Sequence, residues 1–281
     1  MLKLCPKPEE YSGLTMSESF AKKANELGHQ LTTKEKIETA IEVMKSSPIN
    51  GCITGSCWLP GFDPDGWGTK PDIDIFVYGE DELVRSVNFA KYALQMEPGK
   101  GTKRTHDQEE WKLDALMRNG LNYKIGITTY TFYCEGTMLN FTFKQKKFHG
   151  KWYPILTAAD VLSSFDMSIV MQGYDIQTHV FYDMRLGEPK VAVPNPLRDH
   201  DCMMWTVAKW VRQFDRVVKY YNRGFDTRPM ARFYLEMIDK CIEAGCLFDS
   251  EESQSAFETF SNEFIEKRAD IADWLEAHEE D

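Results

Sequence analysis

The sequence predicts an α+β fold, and three observations carry that reading. Short apolar and alternating runs of strand character are interleaved with helical patterns through the first 190 residues. From residue 200 to 281 the pattern changes to long helical repeats. Between them, Gly187 to Asp199 carries Pro189, Pro194 and Pro196, which interrupt regular structure. The expected organisation is therefore a core over 1–190 and a helical C-terminal part over 200–281. Aromatic residues make up 13% of the chain, enough to build a packed core and to argue against disorder. No run of about 18 apolar residues occurs, so no membrane span or membrane partner is expected.

The first thirty residues read as irregular or loosely helical. A helix starts near Thr32 and Thr33, which offer an N-cap, with Glu35 in the first turn. Ile37, Ala40, Ile41 and Met44 give it one apolar face, and the stretch from Ser47 to Gly51 ends it. Cys52, Ile53 and Thr54 form a short strand that runs into Gly55 and Ser56. A second strand is expected from Ile73 to Tyr78, then a helix from about Asp81 to Met96, faced by Leu83, Val84, Val87, Ala90 and Leu94. Thr128 to Tyr133 and Met138 to Phe143 read as a hairpin joined by Cys134-Glu135-Gly136-Thr137. A short helix from Thr157 to Ser163 has Thr157 as its cap, and Phe165 to Met171 is expected as the next strand. Helices near 201–221, from Arg228 to Ala244 and from Ser253 to Ala277 complete the chain, and Trp205 and Trp210 read as core.

The chemistry concentrates at Gly55 and Ser56 and at Asp72-Ile73-Asp74. On a strand, side chains two apart share a face, so both carboxylates point the same way. A divalent ion such as Mg²⁺ takes one or two protein carboxylates together with phosphate oxygens. Backbone N–H groups at a glycine turn reach phosphates that a side chain would block.

These residues resemble the polymerase-beta-like nucleotidyltransferase superfamily, whose signature is a Gly-Ser turn, an apolar-flanked Asp-x-Asp and a third carboxylate on a later strand. The resemblance implies a mixed sheet with flanking helices. It also implies transfer of a nucleoside monophosphate from an NTP, ATP among the candidates, to an acceptor, with Mg²⁺ or Mn²⁺ and release of pyrophosphate. The spacer from Cys57 to Pro71, with Trp58 and Trp67, is longer than in most members and reads as a lid or specificity loop. The third carboxylate's place falls at Asn140, a poor substitute, because an amide is neutral and half donor.

Asp166 is the better candidate, expected within about 5 Å of Asp72 or Asp74, as a shared pair of ions requires. Asp175 is the fallback. The segments Ser164-Phe165-Asp166 and Arg216-Val217-Val218-Lys219-Tyr220-Tyr221-Asn222-Arg223-Gly224-Phe225 are similar to a viral, phage and fungal subgroup of these proteins. That subgroup carries Arg-x-x-Lys-Tyr-x-x-Arg-Gly-Phe, and the resemblance spans about Ile53 to Phe225. Arg216, Lys219 and Arg223 form one stripe at spacings of three and four, suited to nucleotide or acceptor phosphates, and Tyr220 could stack on a base. The bland alternative is that these cations answer the negative end of the helix dipole, with Gly224 as its C-cap.

The remaining features narrow the classes. A net charge of −11 argues against extensive DNA or other non-specific nucleic-acid binding. The acidic last thirty residues contrast with basic clusters at Lys100 to Arg104 and Lys144 to Lys151, which leave a small basic footprint open. The glycine-rich stretch from Gly99 to Arg104 lacks the full P-loop pattern and reads as a surface loop, or else as a phosphate clamp. Seven irregularly spaced cysteines read as reduced thiols of a cytoplasmic protein, in the host cytoplasm if the source is viral. No His-x-x-x-His or Gly-x-Ser-x-Gly occurs, which disfavours zinc and serine-hydrolase chemistry. The acceptor stays open between an RNA end, a protein and a small molecule. A non-catalytic nucleotide- or partner-binding module is the competing class. An Asp-x-Asp glycosyltransferase is a third, in which the Gly-Ser turn would have no role.

Overall fold

The computed structural model describes residues 11–68, 72–99, 127–148, 151–198, 207–243 and 265–279. The basic stretch 100–104, Trp205 and the first part of the expected last helix lie outside the described residues. So do the side chains of Lys146, Lys147 and Lys151. The chain forms two compact units: 1–164 with 170–184, and 165–169 with 185–281.

The first unit opens with two capped helices. α1 (Met16–Leu27) and α2 (Thr33–Lys45) each begin with a reciprocal capping box, Thr15 with Glu18 and Thr32 with Glu35. Gly28, at φ +76°, closes α1 in the left-handed conformation. The sequence reading expected no defined helix this early. The signal was present in Thr15-x-x-Glu18, but that box does not precede a clear apolar stripe. In α2 the apolar face is buried as expected, with Ile37, Ala40, Ile41 and Met44 all in the core.

The sheet is mixed. Its strands are β1 (Gly51–Thr54), β2 (Asp72–Val77), β3 (Glu97–Pro98), β4 (Ile127–Cys134), β5 (Thr137–Phe148), β7 (Gln172–Asp175) and β8 (Val180–Asp183), in the order β3-β4-β5-β2-β1-β7-β8. A further strand, β6 (Lys151–Pro154), pairs with the far end of β5. Neighbours run antiparallel except β2 and β5, which are parallel. The β4–β5 hairpin turns on Glu135 (φ +47°) and Gly136 (φ +87°), two left-handed residues in succession, as a tight two-residue turn of matching twist requires.

One face of this sheet is apolar. Ile53, Ile73, Ile75, Leu139 and Phe141 meet the buried stripes of α1, α2 and α3 (Glu80–Asn88) in a single core. In α3 the expected apolar face is modified: Glu82 and Ser86 are buried in it while Val84 is only half-buried. The polar pair is tolerated because it is bonded. The Asn50 N–H and Arg85 donate to the Glu82 carboxylate, and Ser86 donates to the Glu82 carbonyl. The helix continues through a π-helical turn, Phe89–Ala93.

A short helix, α4 (Ala158–Ser163), is capped by Thr157, which accepts from the Asp160 N–H. The strand expected over 165–171 is absent. That stretch holds a single bridge at Met167 and a 3₁₀ turn (Ser168–Val170), and the strand begins only at Gln172. Its physical reason lies in residues far along the chain. Val193, Asn195 and Pro194 take up the backbone groups of 166–168, which are then not offered to the sheet.

The second unit is built from α5 (Val207–Tyr221), α6 (Arg228–Glu243) and a last helix over 265–277. Among the described side chains of α5, Trp210, Val217 and Tyr220 are buried, with Trp210 edge-on to Tyr234 of α6. Val211, Phe214, Val218 and Tyr221, which recur at helical spacing, form a neighbouring half-buried stripe, with the rings of Phe214 and Tyr221 edge-on to Trp274. Among the described residues no helix is long and apolar enough to cross a membrane.

Candidate functional site

Asp72 and Asp74 share one face of β2 and are both half-buried, while Ile73 and Ile75 between and beyond them are sealed in the core. Register places their neighbours. Across the sheet Thr54, Asp74, Asn140 and Thr131 form one row, and Asp72, Met138 and Tyr133 form the next. Cross-strand partners lie on the same face, so these rows make a polar surface opposite the apolar core.

Gly55 follows β1 at φ +97° and ψ −158°, a conformation essentially restricted to glycine. A Cβ there would sit 2.8 Å from Asp74 Oδ2, so even the smallest side chain would meet the carboxylate. The turn therefore brings bare backbone against the acid. Ser56 then opens a short 3₁₀ turn (Ser56–Trp58), and the spacer is tied down from its start. Trp58 donates its indole N–H to the Ile53 carbonyl at 2.9 Å, and Phe62 packs edge-on against Trp67. Cys57 donates to the Thr54 carbonyl. Burial pushes its thiol pKa far up, and the nearby charges of Asp74 and Asp72 raise it further.

Asn140 touches Asp74 directly. Its Nδ2 donates to Asp74 Oδ1 at 3.0 Å, and its Oδ1 accepts from the Thr131 hydroxyl at 2.8 Å. An ionised carboxylate only accepts, so the amide must turn its NH₂ toward Asp74. Among the described residues no group of three His, Cys, Asp or Glu side chains is placed to hold a metal ion. The Asp72 and Asp74 pair with the bare backbone of Gly55 suits one Mg²⁺ or Mn²⁺ that shares its coordination with phosphate oxygens.

Two residues expected to serve different ligands, Asp166 for metal and Arg216 for phosphate, are instead partners of each other. Arg216 Nη1 donates to Asp166 Oδ2 at 2.5 Å, and the Tyr234 hydroxyl adds a longer contact of 3.4 Å. Asp166 is 1% exposed, and a charge so buried needs a counter-ion. Burial alone would raise its pKa, but the charges of Arg216 and Arg198 outweigh that and hold it below the ordinary aspartate range. Reciprocally, Asp166 more than offsets the effect of burial on Arg216 and raises its pKa. The fallback, Asp175, accepts from the Tyr78 hydroxyl and the Thr178 N–H, and its partners thus pin the β7–β8 turn.

The rest of the basic stripe divides. Lys219 is exposed, whereas Tyr220 is 6% exposed and packs edge-on against Phe225, so its ring is core and not a platform for a base. Lys219 Nζ lies 5.8 Å and the Arg223 guanidinium 5.6 Å from that ring's centre. Gly224 takes φ +81°, the Phe225 N–H reaches the Tyr220 carbonyl and the Gly224 N–H the Tyr221 carbonyl. Those two bonds and the Tyr220–Phe225 contact are the components of a Schellman helix end. The fixed positions Tyr220, Gly224 and Phe225 are thus accounted for by how a helix stops.

No protein-family model matches the chain, and no curated protein matches it. The residue that sequence reasoning undervalued is Thr131. Nothing in the sequence marks it, because its role depends on the β4–β5 register.

Proposed function

We propose that the chain is a nucleotidyltransferase of the polymerase-beta-like kind, transferring a nucleoside monophosphate from an NTP to an acceptor. The observation that carries this reading is the space at Gly55, where an added Cβ would lie 2.8 Å from Asp74 Oδ2. A glycine-only turn, with no side chain to block phosphate from its backbone, lies beside two carboxylates on one strand face. The mixed sheet, with β1 antiparallel and β5 parallel to β2, supports it.

Asp72 and Asp74 would hold the Mg²⁺ or Mn²⁺, which when bound neutralises charge on the triphosphate. The Gly55–Ser56 turn would bind the phosphates and orient the α-phosphorus. In the transfer, an acceptor oxygen forms a bond to that phosphorus and the bond to the β-phosphate oxygen breaks. The acceptor's proton goes to solvent and pyrophosphate leaves. Lys219 is the stripe residue proposed to contact nucleotide or acceptor phosphate. Asp166 and Arg216 are assigned to each other as a structural pair. A cytoplasmic location belongs to this same proposal.

A second reading, a non-catalytic module that binds nucleotide or a partner, draws on Asn140, which sits where a third carboxylate would be and donates to Asp74. The two are separated by incubating the protein with each α-³²P-labelled NTP, Mg²⁺ or Mn²⁺ and cell extract. RNA, protein and small-molecule fractions are then counted. Label in one fraction, lost in Asp74→Ala, is the expected result. Nucleotide binding without label in any fraction would establish the module instead.

A further inference from the structure

We infer that the site takes a single divalent cation with its nucleotide, because the Asn140 amide stands where a second cation's carboxylate would be; this rests on the nucleotide-binding reading above. Among the described residues, the cross-strand neighbours in Asp74's row that could offer a second cation a ligand are Thr54 and Asn140. Thr54 is fully buried and donates its hydroxyl to the Gln172 carbonyl. Asn140 is neutral and presents donors, not acceptors, to Asp74.

The amide is held from behind. Thr131 donates to Asn140 Oδ1, so the acceptor end of the amide is engaged and its donor end is aimed at Asp74 Oδ1. On its other side Asp74 Oδ2 abuts Gly55. The carboxylate is thereby fixed between a backbone turn and an amide. A positively polarised N–H thus faces Oδ1, where it opposes the approach of a cation. Replacing Asn140 with aspartate changes the charge and leaves the shape nearly intact. It would set two carboxylates next to each other and restore a ligand set for two ions.

The test is Mn²⁺ binding to the full-length protein. Electron paramagnetic resonance of free Mn²⁺ is titrated in the presence of each α,β-methylene nucleoside triphosphate, with nucleotide binding followed separately by calorimetry. The expected result is one tight Mn²⁺ per bound nucleotide in the wild type and two in Asn140→Asp. Thermal melting gives an independent readout. Asn140→Asp melts lower than wild type in EDTA and regains that loss in Mn²⁺, and a variant that folds only with Mn²⁺ present shows the same dependence. Two Mn²⁺ per nucleotide in the wild type would overturn the inference while leaving the nucleotide-binding reading intact, and so would a single Mn²⁺ in Asn140→Asp. Absence of both nucleotide and Mn²⁺ binding in the wild type would overturn the underlying reading and the inference with it.

Discussion

Asp74 is the residue on which the site turns, since it touches Gly55 on one side and Asn140 on the other. Asp72→Ala and Asp74→Ala are each expected to abolish transfer of label and to leave the melting temperature at or above the wild-type value, because clustered carboxylates are a stability liability. Full activity of either variant with Mg²⁺ would end the proposed role of the pair. Gly55→Val should fail differently. The backbone at φ +97° excludes a side chain and the Cβ collides with Asp74, so both stability and nucleotide binding fall. Cys57 makes a separate prediction. Burial and then the neighbouring carboxylates hold its thiol protonated, so iodoacetamide at pH 8 should leave it unmodified in the native protein and label it in urea, as read by mass spectrometry.

Among the elements, α5 shows how one short motif serves helix termination. Gly224 has a positive φ and completes the Schellman end, so Gly224→Ala should destabilise the second unit by about 1–2 kcal/mol, measured by urea unfolding. Lys219 is the exposed cation of the stripe. If it holds phosphate, Lys219→Ala weakens nucleotide or acceptor binding about ten-fold or more, in line with roughly 1.5–3 kcal/mol for a charge-assisted contact, without changing stability. Unchanged affinities would return the stripe to helix-end electrostatics. Much of this level was legible beforehand. The α2 stripe, the Thr32 and Thr157 caps, the β4–β5 turn and Gly224 follow from local chemistry. The strand expected at 165–171 did not form because the backbone of 166–168 bonds to 193–195, a partner no local pattern reveals.

For the whole molecule, the buried pair Asp166–Arg216 is a stability element of the second unit. Asp166→Ala is expected to cost about 3 kcal/mol, the low end for a broken buried pair because Arg216 remains 35% exposed. Faster hydrogen exchange should follow in 165–169 and 185–243. Because the Asp166 carboxyl is held below its ordinary range, the pair is fully formed above about pH 4, the unfolded aspartate value, and is lost as pH falls through the folded value. The stability gap between wild type and Asp166→Asn should therefore be widest at neutral pH and close in strong acid.

Local patterns alone determined the α+β class, the extent of α2 and α6, the place of the hairpin turn, and the shared face of Asp72 and Asp74, whereas β5 runs on to Phe148, beyond the expected end at Phe143. Each depends on periodicities of 3.6 or 2 and on caps a few residues away. Tertiary structure decided which charges meet. Asp166 looked like a metal ligand and Arg216 like a phosphate ligand, fifty positions apart, until burial left each as the other's counter-ion. Tyr220 turned inward because the helix end folds Phe225 back onto it. Asn140 and Thr131 joined Asp74 only through the registers of β5 with β2 and β4. Register and counter-ion choice are settled by contacts between segments distant in the chain, and that is why the sequence by itself could not supply them.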